Sequence, residues 1–188
     1  CRSSKRLGQY ADELRRRVAM MAELSVSDDE YNYLARLPFF SADYLAWFRQ
    51  FRFDPSQVNI RCDSNGQLAV RISGPWVEVI LWEVPLLALI SELVHHHESP
   101  QVTPEDAVIR LRELVARFYQ DAEQAGLDLS RFKLMDFGTR RRFSFDVQKA
   151  IVTELKQHFP YLVGTSNYLL AEKLDLEPVG TQAHERSE

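Results

Sequence analysis

Apolar residues recur along the chain in two rhythms, and the changes between them mark its organisation. Leu7, Tyr10, Ala11, Leu14, Val18 and Met21 fall at the three- and four-residue steps of one buried helix face. Arg15, Arg16 and Arg17 occupy the later turns, where the helix dipole favours cations, and read as a solvated helix end. Ser27 with Glu30 spells a capping box for a second helix, which must stop before Pro38. Ser41 is placed to cap a third helix that buries Tyr44, Leu45 and Phe48, and the aromatic-rich stretch 31–53 reads as core because rings bury the most area per residue. The rhythm then shortens to two. Val58, Ile60 and Cys62 alternate with polar neighbours, as do Leu68, Val70 and Ile72, and Asp63-Ser64-Asn65-Gly66 between them predicts a hairpin.

After Gly74-Pro75 comes the longest apolar stretch, 76–94. It is about as long as a membrane span, but Glu78, Glu83 and Glu92 would be costly at membrane depth, and Pro85 interrupts it, so a buried, kinked helix is expected. His95-His96-His97 closes that helix. Consecutive helical positions diverge around the axis and a helical zinc pair needs a four-residue step, so the triplet reads as a polar helix end and no metal is assigned. Thr103, Pro104 and Asp106 open a long amphipathic helix faced by Val108, Leu111, Val115, Phe118, Ala122 and Ala125 and closed by Gly126. The domain boundary is placed just beyond it, with an α+β domain over 1–130 and strand-helix alternation over 131–188.

In that last part, short apolar runs at 132–137, 161–163 and 178–179 lead into Gly138-Thr139, Gly164-Thr165 and Gly180-Thr181. Helical patterns lie between them, one through Val147, Ala150, Ile151 and Leu155 and one through Leu170 and Leu174. Strands alternating this closely with helices predict a parallel sheet, with the Gly-Thr turns gathered beyond the strand carboxyl ends, where such sheets and barrels place ligands. Glycine would let the backbone approach a ligand, and Ser166 is a candidate cap for the next helix, whose free N–H groups would then meet an anion. Arg140, Arg141 and Arg142 stand between a strand end and a helix beginning near Ser144. Cations at the positive end of a helix repel it until a carboxylate or phosphate sits between them; the competing reading pairs them with Asp136, Asp146 or other acids of the protein.

Composition narrows the picture. At 188 residues, 45% hydrophobic and 27% charged, the chain is globular and can build one large core or two small ones. A net charge of -4 argues against a nucleic-acid surface, so the arginines need a local explanation. Cys1 and Cys62 are widely separated and no signal-peptide pattern opens the chain, which points to a reduced, cytoplasmic protein.

The motifs Phe137-Gly138-Thr139-Arg140-Arg141, Gly164-Thr165-Ser166-Asn167 and Gly180-Thr181-Gln182-Ala183-His184-Glu185 closely resemble nicotinate phosphoribosyltransferases of the bacterial type. Leu37-Pro38-Phe39-Phe40, Ser73-Gly74-Pro75-Trp76 and Ile80-Leu81-Trp82-Glu83 look like that family's N-terminal domain. The resemblance implies an α/β protein: an α+β N-terminal domain followed by the first strands of an irregular, TIM-like α/β barrel of a type II phosphoribosyltransferase, in a homodimer when full length. It implies that nicotinate displaces pyrophosphate from phosphoribosyl pyrophosphate to give nicotinate mononucleotide for NAD salvage, coupled to ATP hydrolysis through a phosphohistidine. By motif position the phosphohistidine is His184, with Glu185 orienting it; Thr181, Ser166 and Asn167 contact substrate, and Arg140 or Arg141 holds the nicotinate carboxylate or a substrate phosphate.

Magnesium is implied with ATP and phosphoribosyl pyrophosphate, without ligand residues in this chain. No nucleic-acid or membrane partner is expected. The family's opening Asp-x-Tyr-Lys motif and its later barrel strands have no counterpart here, and Arg186-Ser187 stands where an aromatic residue is expected after Glu185. The chain is therefore expected to be a piece that is inactive alone. The alternatives are another pyridine phosphoribosyltransferase of this fold, acting on quinolinate or nicotinamide, and a non-catalytic scaffold that keeps the anion seat.

Overall fold

The structure, a computed structural model, describes residues 7–180. The chain divides into two compact units, one up to His97 and one from Glu98 onward, each with its own core.

In the first unit, a 3-10 turn at Leu7–Tyr10 leads into helix α1 (Ala11–Met20), and the expected stripe is the buried one: Ala11, Leu14, Val18 and Met21 are all inside. Arg15 pairs with Asp12 and donates to the Ile60 carbonyl at 2.6 Å, so this arginine also ties α1 to the neighbouring strand. Helix α2 (Asp28–Ala35) opens on the capping box read from sequence, with Glu30 N–H donating to the Ser27 hydroxyl at 3.2 Å and Ser27 N–H to the Glu30 carboxylate at 2.8 Å. Helix α3 (Ala42–Gln50) is capped by Ser41; it buries Leu45 fully and leaves Tyr44 and Phe48 half-buried, their rings stacked 5.7 Å apart. Strands β1 (Val58–Cys62) and β2 (Leu68–Ile72) form the antiparallel hairpin, paired from Val58 with Ile72 to Cys62 with Leu68.

The apolar stretch 76–94 departs from expectation. It is broken into α4 (Trp76–Val79), a 3-10 turn at Ile80–Trp82, and α5 (Glu83–Glu98). Proline has no N–H, and its ring collides with the carbonyl four residues back, here Leu81, so α5 must restart just ahead of Pro85. The stretch is also only partly buried: Trp82, Leu86, Ala88 and Leu93 are inside, while Trp76 is 68% exposed. Among the described residues no helix is long and apolar enough to cross a membrane. Trp82, Leu86 and Leu93 close the core over Leu14, Val18 and Ile60.

At the end of α5, His97 stacks on Tyr10 at 5.0 Å, and its Nε2 lies 2.8 Å from Glu13. The hydrogen bonds from His97 and then Arg17 hold the Glu13 carboxyl below its usual range. A depressed carboxylate stabilises the fold fully above its ordinary pKa and loses that contribution as pH falls through the lowered one. Amide protection in α1 is expected to drop below about pH 4; Glu13→Gln should flatten that dependence. An unchanged profile in the variant would show that Glu13 is not its source.

The second unit begins with α6 (Pro104–Gln124), opened by the reciprocal Thr103–Asp106 capping box. It ends in a Schellman turn, with Gly126 at φ 62° and Leu127 N–H donating to the Ala122 carbonyl at 2.9 Å. Leu111, Val115, Phe118 and Tyr119 pack against a core of Val152, Leu155, Phe159, Leu162 and Leu170, while Ala125, expected on the same face, is exposed. Helix α6, which the sequence pattern groups with the N-terminal region, is thus built into the second unit.

Beyond it follow β3 (Leu134–Asp136), a 3-10 turn at Thr139–Arg141, α7 (Phe145–His158), β4 (Leu162–Thr165), α8 (Tyr168–Leu174) and β5 (Glu177–Pro178). The strands form a parallel sheet in the order β3-β4-β5, as the strand-helix alternation requires. β3 is shorter than the apolar run that announces it, because Phe132 closes the preceding turn with its N–H on the Leu129 carbonyl at 3.0 Å.

Candidate functional site

The carboxyl end of the parallel sheet carries a closed polar network. Asp136, the last residue of β3, organises it: one carboxylate oxygen accepts the Gly138 N–H at 2.8 Å. The other accepts the Thr165 hydroxyl at 2.7 Å and the Gln148 side-chain amide at 3.0 Å. Its main-chain carbonyl accepts the Ser166 N–H at 2.7 Å. Gln148, buried in the first turns of α7, also donates to Thr139 at 3.2 Å and accepts from the Asn167 side chain at 3.3 Å. The hydroxyls of Thr139 and Ser166 lie 3.0 Å apart. An ionised carboxylate only accepts, and the groups around Asp136 present donors to it.

The first two Gly-Thr corners therefore meet at one end of the sheet, but in a different way from that expected. Gly164-Thr165 is not a turn; both residues belong to β4, and Thr165 is fully buried. Ser166 is not the helix cap. Asn167 caps α8, its Oδ1 accepting the Leu170 N–H at 3.2 Å, and its own N–H donates to the Thr165 hydroxyl at 3.1 Å. These internal acceptors take N–H groups that the expected anion would have met.

The glycines, too, make room for protein and not for ligand. A Cβ on Gly164 would lie 2.6 Å from the Glu177 carbonyl oxygen, and one on Gly138 would lie 2.7 Å from the Asp136 carboxylate.

Of the candidate substrate contacts, Arg140 is half-buried and Arg141 exposed, both in the turn that follows Gly138. Arg141 N–H closes that turn on the Gly138 carbonyl at 2.9 Å. The Arg142 guanidinium lies over the Phe145 ring, 5.5 Å from its centre. Asp136, the nearest acid considered as a partner for the arginines, has both carboxylate oxygens engaged by Gly138, Thr165 and Gln148. Helix α7 is capped by Ser144, which takes the Val147 N–H at 3.1 Å. Asn167 is buried among Gln148, Thr165 and Leu170, whereas Ser166 is half-buried. Burial pushes the neighbouring Tyr168 phenol upward, so it is neutral at ordinary pH. Thr181, His184 and Glu185 lie outside the described residues, and the chain is followed to Gly180.

Asp136 and Gln148 carry no motif of their own. The available signal is an acidic residue ending an apolar strand immediately before a Gly-Thr pair; nothing local marks Gln148.

Comparison with known proteins agrees with this architecture. The nicotinate phosphoribosyltransferase N-terminal domain matches residues 1–91, and the nicotinate phosphoribosyltransferase family matches residues 132–188. The nicotinate phosphoribosyltransferase of Photorhabdus laumondii is 65% identical over 185 residues, which are 98% of this chain and 46% of that protein. That of Proteus mirabilis is 63% identical over the same share of both. Among solved structures, nicotinate phosphoribosyltransferase from Vibrio cholerae superposes with a TM-score of 0.90 at 34% identity, over 98% of this chain and 44% of the other. The enzyme from Porphyromonas gingivalis gives 0.81 at 35% identity, over 94% and 44%. The chain thus spans about half the length of the curated relatives it matches. Two family matches that between them take in both units, and fold agreement over nearly all of its residues, place this chain in the nicotinate phosphoribosyltransferase family.

Proposed function

We propose that the full-length protein is a nicotinate phosphoribosyltransferase and that this chain supplies one wall of its site. In the reaction, the pyridine nitrogen of nicotinate forms a bond to C1 of the phosphoribosyl group, and the bond from C1 to the pyrophosphate oxygen breaks. The electron pair of the broken bond leaves with pyrophosphate, and the nitrogen lone pair makes the new bond, so no proton has to move. The carbon becomes cation-like between nucleophile and leaving group. The protein's task is then to hold two anions in line and keep them from drifting apart.

Arg140 and Arg141, at the carboxyl end of the sheet, are suited to hold the nicotinate carboxylate or a phosphate, because guanidinium forks match planar and tetrahedral oxyanions. Ser166 offers a half-buried hydroxyl beside them in the network. Magnesium travels with the substrate's phosphates in this reading, and would supply charge neutralisation of the leaving pyrophosphate; among the described residues no group of His, Cys, Asp or Glu is gathered to hold it.

The observation that carries the reading is the 3.0 Å contact between Thr139 and Ser166, which brings together corners 27 residues apart in sequence. His184, as phosphohistidine with Glu185 beside it, and Thr181 at the nicotinate enter through the family resemblance. The full-length protein is accordingly expected to act in NAD salvage as a homodimer in the cytoplasm.

The test is to incubate the full-length protein with γ-labelled ATP and measure acid-labile label together with nicotinate mononucleotide. Label is expected at His184 and should vanish in His184→Asn. Label that survives the substitution assigns the wrong histidine. Absence of label and of product would leave an anion-binding scaffold, and consumption of quinolinate or nicotinamide in place of nicotinate would move the protein to another pyridine specificity.

A further inference from the structure

We infer that Asp136 is a positioning residue of the site, acting on substrate through the turn that carries Arg140 and Arg141; the inference rests on the reading that these arginines hold a small oxyanion. The turn has no helix or strand of its own to hold it. It starts at Gly138, whose N–H is taken by the Asp136 carboxylate at 2.8 Å and whose carbonyl takes the Arg141 N–H at 2.9 Å. The same carboxylate is held by Thr165 at the end of β4 and by Gln148 in α7, and the Asp136 carbonyl fixes Ser166. One residue therefore sets the origin of the arginine-bearing turn against the opposite corner. A carboxylate engaged by several donors is a stiff anchor, because ionised acceptors make the shorter and stronger hydrogen bonds.

The network also predicts how the anchor fails. In Asp136→Asn, one oxygen becomes an NH2 group. The Gly138 N–H can only donate, so the remaining oxygen must stay with it and the NH2 must face Thr165 and Gln148. Gln148 can accept only by turning its amide over, which withdraws the donor from Thr139 and sets an NH2 against the Asn167 side chain. The fault spreads from the carboxylate to both corners. Gln148→Glu in the same chain should repair it, since the new carboxylate accepts from the substituted amide at position 136 and from Asn167, and the Thr139 hydroxyl can turn to donate.

The experiment is a set of steady-state measurements on the full-length protein, with KM for nicotinate and for phosphoribosyl pyrophosphate, kcat and Tm determined for each variant. Asp136→Asn is expected to raise KM for one of the two substrates about tenfold, the affected substrate identifying the oxyanion as carboxylate or phosphate. Asp136→Asn with Gln148→Glu should recover most of that loss. In a chain already carrying Arg140→Ala and Arg141→Ala, adding Asp136→Asn should change that KM by less than twofold, because the group through which it acts is gone; a purely structural fault would subtract the same amount in both backgrounds. An unchanged KM in a folded Asp136→Asn protein, or an equal loss in both backgrounds, overturns the inference. If the double arginine substitution itself leaves both KM values unchanged, the anion-seat reading falls, and the inference falls with it. Should Asp136→Asn not fold, Gln148→Met, which removes the amide donor, carries the same expectations.

Discussion

Replacing Trp82 with alanine is expected to lower the stability of the N-terminal unit by about 4 kcal/mol, the middle of the range for emptying a buried indole from a packed core. Trp82 is fully buried, and its ring meets Phe53 at a centroid distance of 4.5 Å. Its Nε1 donates to the Gln57 side-chain oxygen at 3.1 Å, and Gln57 is itself buried, with its amide held by Glu78. The substitution thus opens a cavity and strips a buried acceptor of its donor at the same time, and both effects act in the same direction. Trp82→Phe separates them: it refills most of the volume, so its cost of about 1–2 kcal/mol should be mainly the lost hydrogen bond. Chemical denaturation followed by proteolysis of the first unit gives both numbers. A loss of under about 1 kcal/mol for Trp82→Ala would mean that Trp82 is not the keystone of this core.

Gly164→Ala is expected to cost about 3 kcal/mol, at the upper end of what overpacking does. The added carbon would meet the Glu177 carbonyl oxygen at 2.6 Å and the Val179 side chain at 2.7 Å. The first of these is backbone in the paired strand β5, so no side chain can swing aside, and β4 and β5 must separate instead. Hydrogen exchange should show it at Val179, whose N–H is held by the Thr165 carbonyl at 3.0 Å. Two other glycines calibrate the result. At Gly138 the obstacle is the end of the Asp136 side chain, so alanine should cost less; at Gly180 nothing lies within 4 Å, so alanine should be nearly neutral. An equal effect at all three positions would mean that lost flexibility, and not the close strand approach, is what alanine disturbs.

The parts of the fold that could be read from sequence are those whose cause is local. The Ser27–Glu30 and Thr103–Asp106 boxes, the α1 stripe, the hairpin and the Gly126 stop each depend on residues within a turn or two of one another. The parallel sheet was readable for a related reason, since a strand followed at once by a helix leaves few other topologies. The break at 80–82 needed the collision between Pro85 and Leu81 to be weighed against a uniformly apolar pattern. In the site, the Gly-Thr motifs marked the right end of the sheet, yet the reasons for their residues were tertiary. Thr165 stays in β4 to reach Asp136, which shifts the helix cap from Ser166 to Asn167. Gln148 lies 12 residues from Asp136 and 19 from Asn167, and only the packing of α7 on the sheet brings the three together.

That hydrogen-bond mesh has a consequence for descent. Positions 136, 148, 165 and 167 share one assignment of donors and acceptors. A lineage cannot drift through them singly, because each lone change strands a partner behind it. Where relatives differ there, the differences should come in compensating sets, such as asparagine at 136 arriving with glutamate at 148, so that the four positions are inherited as a single character.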